Sequence, residues 1–185
     1  MKNKNQDILI RIFSIILLLS SAVWIILTTI QTTARDQSIL FAPQIGFLLP
    51  DFELNGIEGE NHQISDYKGK PIIINFWASW CKPCEAEMPA LQKMYQKYSS
   101  DVVFLTINST NQDNLVNVQN FINKYQLKFP VLLDQEGSVN SLFQVQALPT
   151  TFFVNSYGII QEIIIGGPMS EVLLEIRIKK LVETQ

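Results

Sequence analysis

Cysteine is nearly absent from this chain. There are two in 185 residues, and both fall in one pentapeptide, Trp80-Cys81-Lys82-Pro83-Cys84. Histidine is rarer still, with His62 alone. Two thiols and one imidazole are too few for a structural zinc site, which takes four ligands. His62 reads instead as an exposed hairpin residue. No cysteine closes the apolar run near the N-terminus, which excludes lipid attachment there. There is no basic run and no interleaving of aromatic and basic residues, so no nucleic-acid partner is expected. Internal repeats and low-complexity tracts are also missing. No metal, flavin or nucleotide is implied. Charged residues make up only 17% against 47% apolar, so the chain can bury a core and is not disordered.

The charge that is present is unevenly placed. Lys2, Lys4 and Arg11 stand at the N-terminus against Asp7 alone, whereas from Asp36 onward ten Lys or Arg face sixteen Asp or Glu. Between these regions Ile12 to Ile30 (IFSIILLLSSAVWIILTTI) carries no charge. As a helix this run spans about 28 Å, close to the hydrocarbon thickness of a bilayer. Residues 1–11 are therefore expected as a cytoplasmic N-terminus and 12–30 as a single transmembrane anchor. Residues 31–44 are the linker and 45–185 the body, outside the cytoplasm by the positive-inside rule. A cleaved signal peptide is the competing reading, because Thr32-Thr33-Ala34 offers a small-residue site, but the run is longer than the usual apolar region of such signals. A buried core helix would leave the flanking charge asymmetry unexplained.

The body alternates strands and helices. Phe52 to Ile64 reads as a hairpin with glycines in its turn. Ile72 to Trp77 is a continuous apolar run suited to a central strand buried on both faces. Lys82 to Tyr98 has helical spacing, with Pro89 expected to kink it. Val102 to Ile107 and Phe129 to Leu133 read as strands, and Leu115 to Tyr125 and Val139 to Val145 as helices. Thr151 to Val154 and Ile159 to Ile165 pair through Ser156-Tyr157-Gly158. Ser170 caps a last helix. The expected class is α/β, with a mixed central sheet flanked by helices.

Placed after a buried strand and at the opening of a helix, Cys81 and Cys84 are suited to redox work. Free N–H groups and the helix dipole stabilise a thiolate there, and the thiolate is the nucleophile of disulfide exchange. Cys81 is the expected attacker, with Lys82 adding positive charge. Pro83 fits the first helical turn, where a missing N–H costs nothing. Cys84, one turn on, is placed to resolve a mixed disulfide. A purely stabilising role is disfavoured because the ring is so short.

The segment IIINFWASWCKPCEAEMPAL resembles the thioredoxin superfamily, and within it the membrane-anchored extracytoplasmic thiol-disulfide oxidoreductases of the TlpA, ResA and CcmG/DsbE type, with redoxin or AhpC/TSA-type domains. The resemblance covers about residues 45–183. It implies a thioredoxin-like fold with an N-terminal hairpin and an inserted strand and helix over Phe129 to Val145. Pro149, after Leu148, matches the family's cis-proline, which holds the substrate backbone. Glu87 matches an acidic residue proposed in the family to tune cysteine pKa or relay protons, the plainer alternative being a solvated helix glutamate. Asn75 stands where thioredoxins carry a buried aspartate, so that role is empty or moved to Glu87. Trp77 and Trp80 flank the site, with Trp80 expected beside Cys81 unless either is simply a core aromatic.

The implied function is reduction of disulfides in client proteins by a Cys81–Cys84 dithiol/disulfide cycle. The resemblance points to apocytochrome c as a client and to a membrane thiol donor of the CcdA/DsbD type. No cofactor is implied. The rivals are a DsbA-type thiol oxidase or isomerase, a thiol peroxidase, and a non-enzymatic chaperone-like holder. A peroxidase of this kind needs a cysteine soon after a threonine, and none follows Thr106 or Thr110.

Overall fold

A computed structural model describes residues 4–183. It divides into two units, one ending at Leu40 and one beginning at Phe41. The first is a single helix, α1 (Lys4–Leu40), and within it Arg11–Ile30 is long and apolar enough to cross a membrane. Residues 31–40, read from sequence as part of the linker, continue this helix. Gly46 N–H donates to the Ile160 carbonyl and Leu49 N–H to that of Gly158, both at 2.8 Å, tying 41–49 to the body.

The body opens with the expected hairpin, β1 (Glu53–Asn55) against β2 (Asn61–Gln63), with Leu54 opposite His62. His62 is half-buried rather than exposed, because its ring packs against Tyr67 and bonds that hydroxyl. Next come β3 (Ile72–Trp77), α2 (Lys82–Tyr98), β4 (Val103–Asn108) and α3 (Leu115–Tyr125). They are followed by β5 (Val131–Leu133), α4 (Ser138–Leu142), β6 (Thr150–Val154), β7 (Ile160–Ile165) and α5 (Glu171–Glu183). The five-stranded sheet has order β5-β4-β3-β6-β7. Its β3, β4 and β5 run parallel, while β6 is antiparallel to both β3 and β7. This mixed sheet with flanking helices is the thioredoxin-like arrangement.

Every residue of the central strand β3 is buried, as an uninterrupted apolar run requires. Alternation splits its side chains between two cores. Ile73 and Trp77 pack with Met88, Leu91 and Met94 of α2 and with Leu174 and Ile178 of α5. Ile72, Ile74 and Phe76 face the opposite layer, with Phe52, Val139 and Phe143. Helix α2 runs through Pro89 as one element. Two elements are shorter than their apolar patterns. β5 begins after Pro130, which has no N–H for the ladder but whose carbonyl accepts from Thr106 N at 3.1 Å. α4 stops at Leu142, and the chain turns through Gln144 at φ 52°. That turn leaves Phe143 buried among Phe52, Phe76 and Phe152, with ring centroids 5.1 to 5.5 Å from its own. The β6–β7 turn uses Gly158 at φ 78°, a conformation open to glycine, and Asn155 Oδ1 accepts from the N–H groups of Tyr157 and Ile159.

Phe76 is fully buried at the centre of that aromatic cluster. Phe76→Ala is expected to cost about 3–5 kcal/mol, read from urea unfolding of the full chain, because rings on both sides must collapse to fill the void. A loss below about 1 kcal/mol would show that this layer does not depend on ring packing.

Candidate active site

The site is built where β3 ends and α2 begins. Trp77 closes the strand and is fully buried, its ring 4.8 Å from that of Phe121. Four residues then make a turn in which Cys81 N–H donates to the Ala78 carbonyl at 3.1 Å. Cys81 is the N-cap of α2, with extended φ and ψ of −81° and 107°. Its sulfur accepts from Cys84 N–H at 3.2 Å, the position normally served by a serine, threonine or aspartate oxygen. Pro83 lies in the first turn and withholds no N–H that the helix needs. The two sulfurs are bonded at 2.06 Å with Cα atoms 5.2 Å apart. They differ in access: Cys84 is fully buried, while Cys81 retains 5% exposure.

Behind the pair lies a buried carboxylate. Glu87, three residues after Cys84, is 1% exposed. Its Oε1 accepts from Asn75 Nδ2 at 2.8 Å and its Oε2 from Met169 N–H at 3.1 Å. Asn75 also donates to Thr151 Oγ1 at 2.9 Å, its register partner on β6, and among the described residues its Oδ1 has no partner. Burial pushes the Glu87 carboxyl up from its ordinary value, and the two hydrogen bonds only partly offset this.

The Leu148–Pro149 bond is cis. Pro149 is buried, while Leu148 is half-buried against both cores. The segment after β7 covers Pro149 and Glu87 together. Gly166 N–H donates to the Pro149 carbonyl at 2.8 Å. A Cβ on Gly167 would meet Pro149 Cγ at 2.8 Å and Glu87 Oε2 at 3.0 Å, so only glycine fits. A second cis bond follows at Gly167–Pro168. Sequence reading missed this cover. Its signal was the Gly-Gly-Pro run just before the Ser170 cap, which reads as a generic turn.

Two residues stand otherwise than expected. Lys82 does not direct its charge at Cys81. Its Nζ is 3.0 Å from Glu85 Oε2, and Glu85 also binds Lys124 at 2.8 Å and the Tyr125 hydroxyl. Hydrogen bonds from Lys124, Tyr125 and Lys82 hold the Glu85 carboxyl at about 2. Trp80 turns outward, 56% exposed, and its indole N–H donates to the Gln112 carbonyl at 2.8 Å. The loop 109–114, which sequence reading also missed, thus holds the residues leading to Cys81. Asp113 accepts there from both Ser79 N–H and Ser79 Oγ at 2.6 Å.

Because Glu87 has a raised pKa in the fold, it stabilises the protein fully at pH values below its unfolded pKa, near 4.5. That contribution declines as pH rises from there through the folded pKa, above which it is flat. Glu87→Gln should lack this decline. Chemical unfolding of both proteins between pH 4 and 8 checks it, and parallel profiles would contradict a buried, raised carboxyl.

The AhpC/TSA family model matches residues 45–163. The thiol-disulfide oxidoreductase ResA of Geobacillus thermodenitrificans is 34% identical over 168 residues, covering 91% of this chain and 92% of that protein. The thioredoxin-like protein YneN of Bacillus subtilis is 39% identical over 66% of this chain and 72% of its own. Among solved structures, StoA from Bacillus subtilis aligns with TM-score 0.62 at 36% identity, over 70% of this chain and 96% of that one. The exposed lipoprotein thioredoxin Etrx1 of Streptococcus pneumoniae aligns with TM-score 0.63 at 31% identity, over 71% and 100%. With a CxxC disulfide at a helix start on a thioredoxin-like sheet, the chain belongs to the AhpC/TSA family, among its ResA-like thiol-disulfide oxidoreductases.

Proposed function

We propose that this oxidoreductase works as a reductase of client disulfides, held by its N-terminal helix with the body outside the cytoplasm. The difference in burial between the two cysteines supports their roles, and the Lys82-Pro83 dipeptide, which resembles that of reducing relatives, supports the direction. Cys81, the less deeply buried of the two and accepting the Cys84 N–H as cap, is the sulfur assigned to meet a client. Cys84, fully buried, is the sulfur that resolves. Cys81 thiolate attacks one sulfur of a client disulfide, forming a mixed disulfide and expelling a client thiolate. Cys84 loses its proton and attacks the Cys81 sulfur, expelling the second thiolate. Two electrons pass to the client, which takes up two protons, and Cys81–Cys84 is left oxidised.

Glu87 is the group we assign to proton transfer with Cys84. Its burial and raised pKa support this, and Asn75 beside it cannot titrate. Pro149 is assigned to the client backbone. The anchor is assigned to residues 12–30, within the apolar helical stretch Arg11–Ile30, with Lys2, Lys4 and Arg11 on the cytoplasmic side. A dithiol in an oxidising compartment must be recharged, so the partner is a membrane thiol donor of the CcdA/DsbD type. The client class we favour is the CxxCH haem-attachment segment of apocytochrome c, on the resemblance to CcmG/DsbE-like proteins.

Direction is tested by the potential of the Cys81–Cys84 couple. A value near that of thioredoxin, about −270 mV, is expected. A value near that of strong oxidants, about −120 mV, would reverse the reading and make the protein a thiol oxidase. Cys84→Ser should accumulate mixed disulfides on Cys81 in cells, and mass spectrometry of these adducts names the clients. Their complete absence would contradict the attack at Cys81.

A further inference from the structure

Asp113 bonds the turn that leads to Cys81, is half-buried, and has no cation partner among the described residues. Four donors surround it: Ser79 N–H and Ser79 Oγ at 2.6 Å, Asn114 N–H at 2.8 Å and Asn108 Nδ2 at 3.0 Å. None of them is charged. Burial alone pushes its carboxyl up, but these hydrogen bonds outweigh burial and hold it below its ordinary value, so it is ionised wherever a thiol titrates.

Ser79 is the second residue of the turn closed by Cys81 N–H to the Ala78 carbonyl. Ser79 stands two residues before Cys81, so their Cα atoms are at most about 7 Å apart and the Asp113 carboxylate bonded to Ser79 lies on the order of 10 Å from Cys81. Gln112, the residue before Asp113, takes the Trp80 indole N–H on its carbonyl, so the same loop grips both residues that precede Cys81. The other charges around the pair are accounted for. Lys82 and Lys124 both bind Glu85, the Tyr125 hydroxyl joins them, and Glu87 lies in the core behind Cys84.

We propose that Asp113 is a positioning residue for Cys81. Through Ser79 it pins the turn that presents the nucleophile, and its fixed negative charge opposes the helix N-terminus. The α2 dipole and the Cys84 N–H stabilise the Cys81 thiolate, and too stable a thiolate makes an oxidant. An anion held at this distance destabilises the thiolate, raises the thiol pKa and moves the couple toward the reducing side. The proposal deepens the reductase reading. Its direct readout, the titration of Cys81, holds whichever way electrons flow, so the two fail separately.

The test uses the full-length protein in detergent, reduced to the dithiol. The pH dependence of Cys81 alkylation gives the thiol midpoint, and equilibration with glutathione gives the redox balance. Asp113→Asn should lower the midpoint by about half a unit, the size expected of one charge at this separation in a partly solvated site. It should shift the glutathione equilibrium about twofold toward the dithiol. Asp113→Ser, a second neutral variant, should do the same. Asp113→Glu, which keeps the charge, should restore most of the difference. Neutral variants that titrate within a tenth of a unit of the parent protein would overturn the proposal. So would a glutamate variant displaced as far as the asparagine one. If both neutral variants fail to fold, Asp113 is a structural residue only and the tuning role is rejected.

Discussion

The sulfur of Cys81 serves as the cap of α2, and most of the site follows from that one contact. A helix start leaves backbone N–H groups without partners, and here one of them finds a sulfur. The cap can sit there only because β3 ends in the core. Trp77, wholly buried against Phe121, fixes where the strand stops, and the turn from Ala78 to Cys81 then delivers the chain to the helix. The same geometry leaves Cys81 slightly less buried than Cys84, at 5% exposure against none. A pair of identical residues thereby acquires two different environments from position alone.

Three carboxylates around this junction have three different environments. Glu87 is buried and meets only neutral donors, so its proton is held more tightly. Glu85 is bound by two ammonium groups and a phenol and is ionised over the working range. Asp113 is ionised without a cation, through four neutral donors. Environments that push carboxyl pKa values apart are how one site can hold both a proton carrier and a fixed charge. The cover formed by Gly166 to Met169 helps bury Glu87, and Gly167 makes that close approach possible by having no Cβ.

Much of the body was legible in the residues. IIINFW reads as a central strand because every position is apolar, and every position is buried. Leu115–Tyr125 has the same bounds by pattern and by structure, since Asn114 is a good cap and its side chain accepts from Val116 and Asn117 N–H. The reading was weaker where local pattern and tertiary demand differ. The apolar spacing over Val139 to Val145 continues past the helix end, because Phe143 is drawn into the aromatic cluster. Lys82 looked like a charge for the thiolate until Glu85 took it.

The covalent capacity of the protein is local and therefore written in the chain. Two cysteines three apart after a buried strand define the redox pair, and an uncharged apolar run defines a helix long enough to span a bilayer. What folding alone decided is the company each group keeps. Asp113 reaches Ser79 across 34 residues, Met169 reaches Glu87 across 82, and Thr151 reaches Asn75 across 76. Dielectric, hydrogen-bond partners and fixed charges depend on distances in space, which periodicity along the chain does not encode. The identity of the reacting atoms is a property of the sequence, and their tuning is a property of the packed structure.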